Sequence, residues 1–242
     1  MTRTILFAVA ALGFVGGSAL AADLPAKAPI TKAPPAYYNW GGFYIGGLAT
    51  YGWTDSVHCD GGACDPGIVF PAFNMNGWLG GVTAGYNLQN ANWVFGIEAD
   101  WSWGHVDGSS GDTVDFGCGT CRTSVDSIGT VRARLGYAFD RFLPYVTAGV
   151  AFTEYRASVG APPDFHEDSW TRATFAGGAG LEYGFYGNWS AKAEYLFIRR
   201  AGDFLYAPHD CLAPGCFART SDIQTVRFGV NYRFGGPLVA RY

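Results

Sequence analysis

The stretch WVFGIEADWSW at residues 93–103 decides how this chain folds. Every second residue in it is apolar: Trp93, Phe95, Ile97, Ala99, Trp101 and Trp103. Two of the residues between them are the carboxylates Glu98 and Asp100. Alternation with a period of two predicts a β-strand that has one apolar face and one polar face. In a soluble β-protein the apolar face would be the core, whereas in a membrane barrel it faces lipid and the two acids point inward.

The bulk composition favours many short strands and excludes one class of function. Of the 242 residues 17% are aromatic and 35 are glycine, while only 15% are charged, below the usual quarter. Aromatic and glycine-rich chains of this kind predict strands and tight turns. The net charge is −4 and no cluster of lysine and arginine occurs, which argues against nucleic-acid binding. A mean hydropathy of +0.07 is compatible with a barrel, because half of each strand is polar.

Residues 1–21 have the pattern of a secretory signal peptide. Arg3 precedes an apolar run from Ile5 to Val15, and the segment ends in the small-residue motif Ala19-Leu20-Ala21. This pattern predicts cleavage after Ala21. An uncleaved anchor is the alternative, but the apolar run is too short to cross a bilayer as a helix. The sequence therefore predicts an exported protein.

Residues 22–40, ADLPAKAPITKAPPAYYNW, contain four prolines and two lysines. Proline at this density predicts an extended, polyproline-like linker on the periplasmic side. The linker either tethers the protein or contacts the cell wall. The folded domain is predicted to cover residues 41–242.

Eight alternating segments follow, and their connections alternate in length. The segments are 43–53, 77–88, 93–103, 124–139, 143–156, 171–185, 189–198 and 222–234. Three connections are tight turns, QNAN at 89–92, DRF at 140–142 and YGN at 186–188. The other four connections are long and lie near 54–76, 104–123, 157–170 and 199–221. Short turns alternating with long loops are typical of an outer-membrane barrel with periplasmic turns and extracellular loops. We therefore predict an all-β fold, an eight-stranded antiparallel up-and-down transmembrane β-barrel in the cell outer membrane.

Aromatic residues cluster at the ends of these segments. Phe43 and Trp53 bound the first segment, and Trp78 and Tyr86 bound the second. Such ends predict two aromatic girdles in contact with outer-membrane lipid.

The polar faces of the segments carry eight charged residues. They are Glu98, Asp100, Arg132, Arg134, Glu182, Lys192, Glu194 and Arg227. An eight-stranded barrel has room inside for side chains only, so interior charges must pair with each other. We expect Glu98 and Asp100 to lie beside Arg132 and Arg134, and Glu182 beside Lys192 and Glu194. Such a network predicts a filled lumen, and a narrow porin that passes small solutes is the alternative.

Three motifs carry a family resemblance. They are AADLPAKAP at 21–29, YNWGGFYIGG at 38–47 and FGVNYRFGGPLVARY at 228–242. Together they resemble the alphaproteobacterial outer-membrane β-barrel family of surface antigens. The resemblance implies a structural, surface-exposed role in envelope integrity, antigenic contact or adhesion. Some members of that family are porin-like and others bind haemin, and neither role transfers by motif.

The segment RFGVNYRF at 227–234 resembles the C-terminal signal that the barrel-assembly machinery recognises. An eight-residue tail follows, so either Phe234 or Tyr242 ends the signal. The resemblance implies this machinery as a partner during biogenesis. It implies nothing about the oligomeric state.

Six cysteines form three close pairs, each inside one predicted loop: Cys59 and Cys64, Cys118 and Cys121, and Cys211 and Cys216. An even number of cysteines in an exported protein predicts local disulfides. The alternative is a metal site, because Cys118-Gly-Thr-Cys121 has the ligand spacing of zinc sites. A second pair at that spacing is missing, so we predict disulfides.

The four histidines, His58, His105, His166 and His209, fall one in each predicted long loop. If they converged at the barrel mouth, they could bind haem iron or a divalent metal, which would make the protein a haemin receptor. The simpler interpretation is that membrane strands exclude histidine, which leaves only the loops. His105 near Ser109, Ser110 and Asp112 is the one local candidate for catalysis, but it matches no catalytic motif. We therefore predict no enzyme and no required cofactor.

Overall fold

The computed structural model describes residues 38–60, 72–110, 121–159, 166–206 and 216–234. These residues form ten β-strands, all in one antiparallel sheet. The strands are β1 (Gly42–Asp60), β2 (Ala72–Asn90), β3 (Trp93–Ser109), β4 (Cys121–Tyr137), β5 (Phe142–Val159), β6 (His166–Tyr186), β7 (Trp189–Ile198), β8 (Asp203–Tyr206), β9 (Cys216–Thr220) and β10 (Ile223–Phe234). Over these described ranges, no helix is both long and apolar enough to cross a membrane.

Eight of the strands close into a ring, which confirms the predicted barrel. Strands β1 to β7 pair in chain order, and β10 pairs with both β7 and β1. The closing ladder runs from Phe43↔Phe234 to Trp53↔Gln224. Strand β5, whose alternation is the weakest in the sequence, pairs over its length with β4 and β6.

The two faces of β3 point in the directions expected for a membrane barrel and not for a soluble β-protein. Phe95, Ile97 and Trp103 are exposed on the outer face of the barrel, whereas Glu98 and Asp100 are buried. Water would make that arrangement unfavourable, but a lipid surrounding stabilises apolar residues on the outside. The strand is thus inverted relative to a strand of a soluble protein.

The short connections are tight turns, as predicted, and each turn has two residues. The first residue of each turn has a left-handed backbone, with φ of 52° at Ala91, 53° at Asp140 and 49° at Gly187. All three turns lie at the same end of the barrel. We call this end the lower end and the opposite end the upper end.

Aromatic side chains form a girdle near each end of the outer face. In the lower girdle the ring pairs are Phe43 with Phe234, Trp93 with Tyr137, Phe142 with Tyr183 and Trp189 with Tyr232. In the upper girdle, Tyr51 packs against Trp53 and Trp78. Ten residues separate Phe43 from Trp53 along β1. At about 3.3 Å per residue and a tilt of about 40°, they span roughly 25 Å, the height of the apolar band in outer-membrane barrels.

The strands extend well above the upper girdle. The predicted bounds of the long loops are therefore wrong, because part of each predicted loop is strand. Strand β1 continues to Asp60, β2 begins at Ala72 and β6 begins at His166. Above the girdle the alternation inverts: Asn74 and Asn76 face outward and Met75 is buried. Because water surrounds this part of the wall, strands with polar outer faces are stable there. The pattern of apolar outer residues ends at the girdle, so it does not predict these extensions.

Strands β8 and β9 complete part of this upper wall. Strand β7 ends at Ile198 and β10 begins only at Ile223, both near the upper girdle. Above them, β9 pairs with β1 through Ser56↔Thr220 to Asp60↔Cys216, and β8 pairs with β9. The predicted loop 199–221 therefore contains two short paired strands. Within this pair, β9 occupies the position beside β1 that β10 occupies lower in the barrel.

Candidate functional site

Three layers of described residues follow one another inside the barrel, and the middle layer contains the predicted charges. The lowest layer is the apolar cluster of Trp40, Val94, Ala138 and Leu143. The middle layer, which we call the charged layer, holds all eight predicted charged residues with buried side chains. Above it lies a third layer, which we call the apolar layer and which consists of Met75, Leu79, Val106, Val125, Ile128, Ala151, Tyr155, Ala176, Leu196, Ile198 and Ile223.

Arg132 is the centre of the charged layer. Its guanidinium donates to Glu98 at 2.8 Å, to Asp100 at 2.9 Å and to Glu194 at 2.6 Å. Its Nε donates to Thr130 Oγ1 at 2.9 Å, and Thr130 in turn donates to Asp100 at 2.6 Å. Hydrogen-bonded pairing of this kind offsets the large cost of burying ionised groups.

Arg227 closes the same cluster from the opposite wall. It forms an ion pair with Asp100, and its Nη1 lies 3.4 Å from Glu194 Oε1. Asp100 is thus held between Arg132 on β4 and Arg227 on β10. The cluster spans the lumen from wall to wall.

A second cluster surrounds Glu182. Arg134 forms an ion pair with it, and Ser190 Oγ and Asn231 Nδ2 donate to it at 2.5 and 3.1 Å. A fifth cation, Arg233, lies 3.5 Å from its Oε1. The sequence places Arg233 on the interior face, six residues after Arg227, but the prediction did not include it in the charge network.

The observed ion pairs agree with the expected neighbours only in part. Glu98 and Asp100 both contact Arg132, and Arg134 Nη1 lies 3.7 Å from Glu98. Lys192, which stands directly opposite Glu182 in the β6–β7 ladder, instead donates to Glu98 at 2.7 Å. Because the lumen is narrow, side chains from opposite walls meet, and such contacts do not follow from strand order.

Two interior tyrosines were missed as members of the network. Tyr44 Oη donates to Glu98 at 2.7 Å, and Tyr145 Oη donates to Glu194 at 2.9 Å. Each ring lies over a glycine of the next strand, Gly85 and Gly180, where a Cβ would overlap the ring. The ring of Tyr145 also lies 3.7 Å from the Arg134 guanidinium, a cation–π contact. Alternation places Tyr44 on the inner face, which is the signal that could have identified it.

The lower end is closed by Trp40, the last residue of the predicted linker. Its side chain is fully buried, and its Nε1 donates to the Asp140 carbonyl at 2.9 Å. Gln89 Oε1 accepts a hydrogen bond from its backbone at 2.7 Å. The Arg233 guanidinium lies 4.8 Å from its ring centroid, so the cap contacts the charged layer. The lumen is therefore covered from below.

The histidines that the structure describes do not converge. His58 is buried inside the upper wall, where its Nε2 and Thr123 Oγ1 share a hydrogen bond of 2.6 Å. It lies above the membrane span, and burial lowers its pKa to about 4. His105 faces outward, 74% exposed, with its Nδ1 3.3 Å from Asp126. The side chain of His166 and all of His209 lie outside the described residues.

The predicted disulfides lie mostly outside the described residues. Cys64, Cys118 and Cys211 are outside them, as are the side chains of Cys59 and Cys216. Cys121 is buried at the start of β4. The three pairs stay predictions. Among the described side chains, no group of three or more His, Cys, Asp or Glu residues is arranged to hold a metal ion.

Two residues of the local candidate for catalysis, His105 and Ser110, lie on opposite faces of the wall. His105 faces outward, while Ser110 is buried and its Oγ donates to the Cys121 carbonyl at 3.4 Å. Asp112 lies outside the described residues. The hydrogen-bond partners of His105 and Ser110 are therefore different groups on different faces of the wall.

Comparison with known proteins places the chain among outer-membrane barrels. Residues 7–234 match the family model of the outer membrane protein beta-barrel domain. The 31 kDa outer-membrane immunogenic protein of Brucella melitensis is 34% identical over 97% of this chain and 100% of its own length. The 22 kDa outer membrane protein of Rhizobium leguminosarum is 30% identical over 86% of this chain and 82% of its own.

Solved structures of outer-membrane barrels are also similar. The attachment invasion locus protein Ail of Yersinia pestis is 15% identical with a TM-score of 0.40, over 80% of this chain and 99% of its own. Neisserial surface protein A is 16% identical, also with a TM-score of 0.40, over 80% of this chain and 97% of its own.

Proposed function

Because the chain belongs to the outer membrane protein beta-barrel family, we propose that it is a closed structural barrel that strengthens the envelope and presents its upper loops at the cell surface. It is an outer-membrane protein, and its relatives in Brucella are named outer-membrane immunogenic proteins. The proposal concerns the closed lumen and the structural role. It includes no catalytic activity.

The charged layer is the observation that supports a closed lumen. Arg132 and Arg227 reach across the lumen to acids on other strands, so a solute would have to break several ion pairs to pass. Removing one partner of a buried pair costs about 3–5 kcal/mol. Above this layer Leu79 and Ile128 belong to a packed apolar cluster, and below it Trp40 covers the base.

Conductance tests the closed lumen. Purified protein inserted into planar bilayers is expected to show no steady openings, and vesicles that contain it should not swell in sugar solutions. A general porin in the same membranes is the positive control for insertion and detection. Steady openings of the wild-type protein would contradict the proposal and would favour the narrow porin.

Surface display is tested by the accessibility of two tags. An epitope inserted within residues 112–117, in the connection between β3 and β4, should bind antibody on intact cells. The same epitope inserted between Gly187 and Asn188, in a lower turn, should bind only after the outer membrane is permeabilised. Equal labelling of both tags on intact cells would contradict the orientation.

We also propose that the barrel-assembly machinery recognises a signal ending at Phe234. Phe234 lies in the lower girdle, stacked on Phe43 at 5.8 Å, and β10 ends with it. Recognition of Tyr242 instead would make the last eight residues essential for assembly.

A further inference from the structure

The outer face of the wall carries a charged sector just above the upper girdle. On β3, Trp101 and Trp103 are exposed at the girdle, and His105 and Asp107 follow on the outer face. At about 3.3 Å per residue, His105 and Asp107 lie roughly 5–10 Å above Trp103. The polar headgroup regions of a bilayer add about 5–7 Å on each side of the hydrocarbon core. His105 therefore lies at the height of the headgroups of the outer leaflet, and Asp107 lies just above them.

This sector contains a cleft of about 320 Å³, which we call the outer cleft. Its wall includes Arg122, Ser124, Asp126, Arg156, Ser158 and Glu167. They come from three neighbouring strands, β4, β5 and β6, with Arg122 opposite Ser158 and Ser158 opposite Glu167 in the ladders. The register therefore places donors and acceptors in one concave surface.

Carboxylates orient the two guanidinium groups of the outer cleft. Arg156 donates from Nε to Asp126 at 2.7 Å and from Nη1 to Glu167 at 2.6 Å. Arg122 donates from Nη2 to Asp107 at 2.6 Å. A guanidinium has five N–H donors, so each retains donors for an anion. The side chains of Arg122 and Arg156 are 58% and 43% exposed, and ion pairs that exposed contribute at most about 1 kcal/mol to stability.

The opposite side of the barrel presents different chemistry at this height. The outward residues of β1 and β2 there include Asp55, Asn74 and Asn76. The described parts of these two strands have no arginine above the girdle. The oriented guanidinium groups of the outer cleft thus lie on β4 and β5, and the described parts of β1 and β2 carry no counterpart.

We propose that the outer cleft binds the headgroup of a phosphorylated glycolipid in the outer leaflet. Arg122 and Arg156 donate to the phosphate, since a guanidinium recognises phosphate through two parallel hydrogen bonds. Asp126 and Glu167 accept hydrogen bonds from sugar hydroxyls, and Ser124 can donate or accept. Trp101 and Trp103 contact the acyl chains below. Phosphate alone would not use the carboxylates, so the mixture of donors and acceptors favours a sugar phosphate over an ordinary phospholipid.

Binding to purified mature protein in detergent tests the assignment. The probes are a hexa-acylated glucosamine disaccharide bisphosphate and phosphatidylglycerol, and native mass spectrometry gives both affinities. The wild-type protein is expected to bind the glycolipid more tightly than phosphatidylglycerol. The double variant Arg122→Gln/Arg156→Gln should lose at least about tenfold in glycolipid affinity, the effect of losing one hydrogen bond to a charged group.

Two further variants keep the test decisive. Arg141→Gln, at an exposed arginine of a lower turn, should bind the glycolipid like the wild type. Arg122→Lys/Arg156→Lys preserves both charges and replaces the double variant if that fails to fold; it should also bind more weakly, because the fork geometry is lost. Unchanged affinity in the folded double variant, an equal loss in Arg141→Gln, or equal affinity for both lipids would overturn the proposal. The cleft does not depend on the closed lumen, so conductance and lipid binding can fail independently.

Discussion

The charged layer and the apolar layer fill the same lumen by opposite means. In the charged layer, Arg132 contacts three carboxylates and every pair must be complete, because an unpartnered buried ion is costly. In the apolar layer, Leu79 and Ile128 need only to fill space. The charged layer lies inside the lipid-facing span, whereas the apolar layer begins at the upper girdle and continues above it.

The difference follows from what surrounds the wall. Between the girdles the outer face must be apolar, so the alternation leaves the inner face polar, as at Glu98 and Asp100. Above the upper girdle the outer face is wet, and the inner positions Val106 and Val125 are apolar, as in a soluble sheet. The same strands thus have the polarity of a membrane barrel between the girdles and the polarity of a soluble β-sheet above the upper girdle.

Removing the central cation, Arg132, should lower the stability of the barrel more than any other change considered. Arg132→Met leaves Glu98, Asp100 and Glu194 each with one cation fewer, and we expect a loss of about 3–5 kcal/mol in stability. The folded fraction can be measured against urea by the shift between folded and unfolded bands on gels run without boiling. Arg122→Met, at an exposed arginine, is the matched control and should change stability by at most about 1 kcal/mol. Equal losses in the two variants would show that the charged layer has no special role.

Truncating the apolar layer should cost less. Leu79→Ala removes a buried side chain without leaving a charge, and we expect a loss of about 2–4 kcal/mol in the same assay. Leu135→Ala, on the lipid-facing surface of β4, should lose much less, since lipid fills the vacated space. If Leu79→Ala lost more stability than Arg132→Met, the ranking of the two layers would be wrong.

A change of pH at His58, in the upper wall, should affect stability no more than Leu79→Ala does. Its pKa is about 4 in the folded protein and near 6.5 when unfolded, so the unfolded state binds the extra proton first. Its contribution is complete above pH 6.5 and decreases as the pH falls towards 4, by up to about 3 kcal/mol.

The variant His58→Gln isolates this contribution, because glutamine does not titrate in this range. The difference in stability between wild type and variant should shift against the wild type as the pH is lowered from 6.5 to 4. A difference that is constant over this range would mean that His58 is not buried in its neutral form.

Much of the fold was predictable because its signals are local. The eight strands, the three tight turns and the inward direction of the carboxylates in β3 all follow from alternation over about ten residues. The lengths of the upper strands were not predicted, since the pattern inverts at the girdle. The short hairpin of β8 and β9 was missed for the same reason.

The sequence by itself determined which residues enter the lumen, because a period of two assigns each side chain to one face of its strand. Only the tertiary structure decided which of these residues meet. Lys192 on β7 contacts Glu98 on β3, and Arg227 on β10 contacts Asp100, also on β3, across a lumen that exists only after β10 pairs with β1. Ring closure brings together residues about a hundred positions apart, and no local pattern encodes that distance. The two acids of WVFGIEADWSW were therefore predictable as interior groups, but their partners were not.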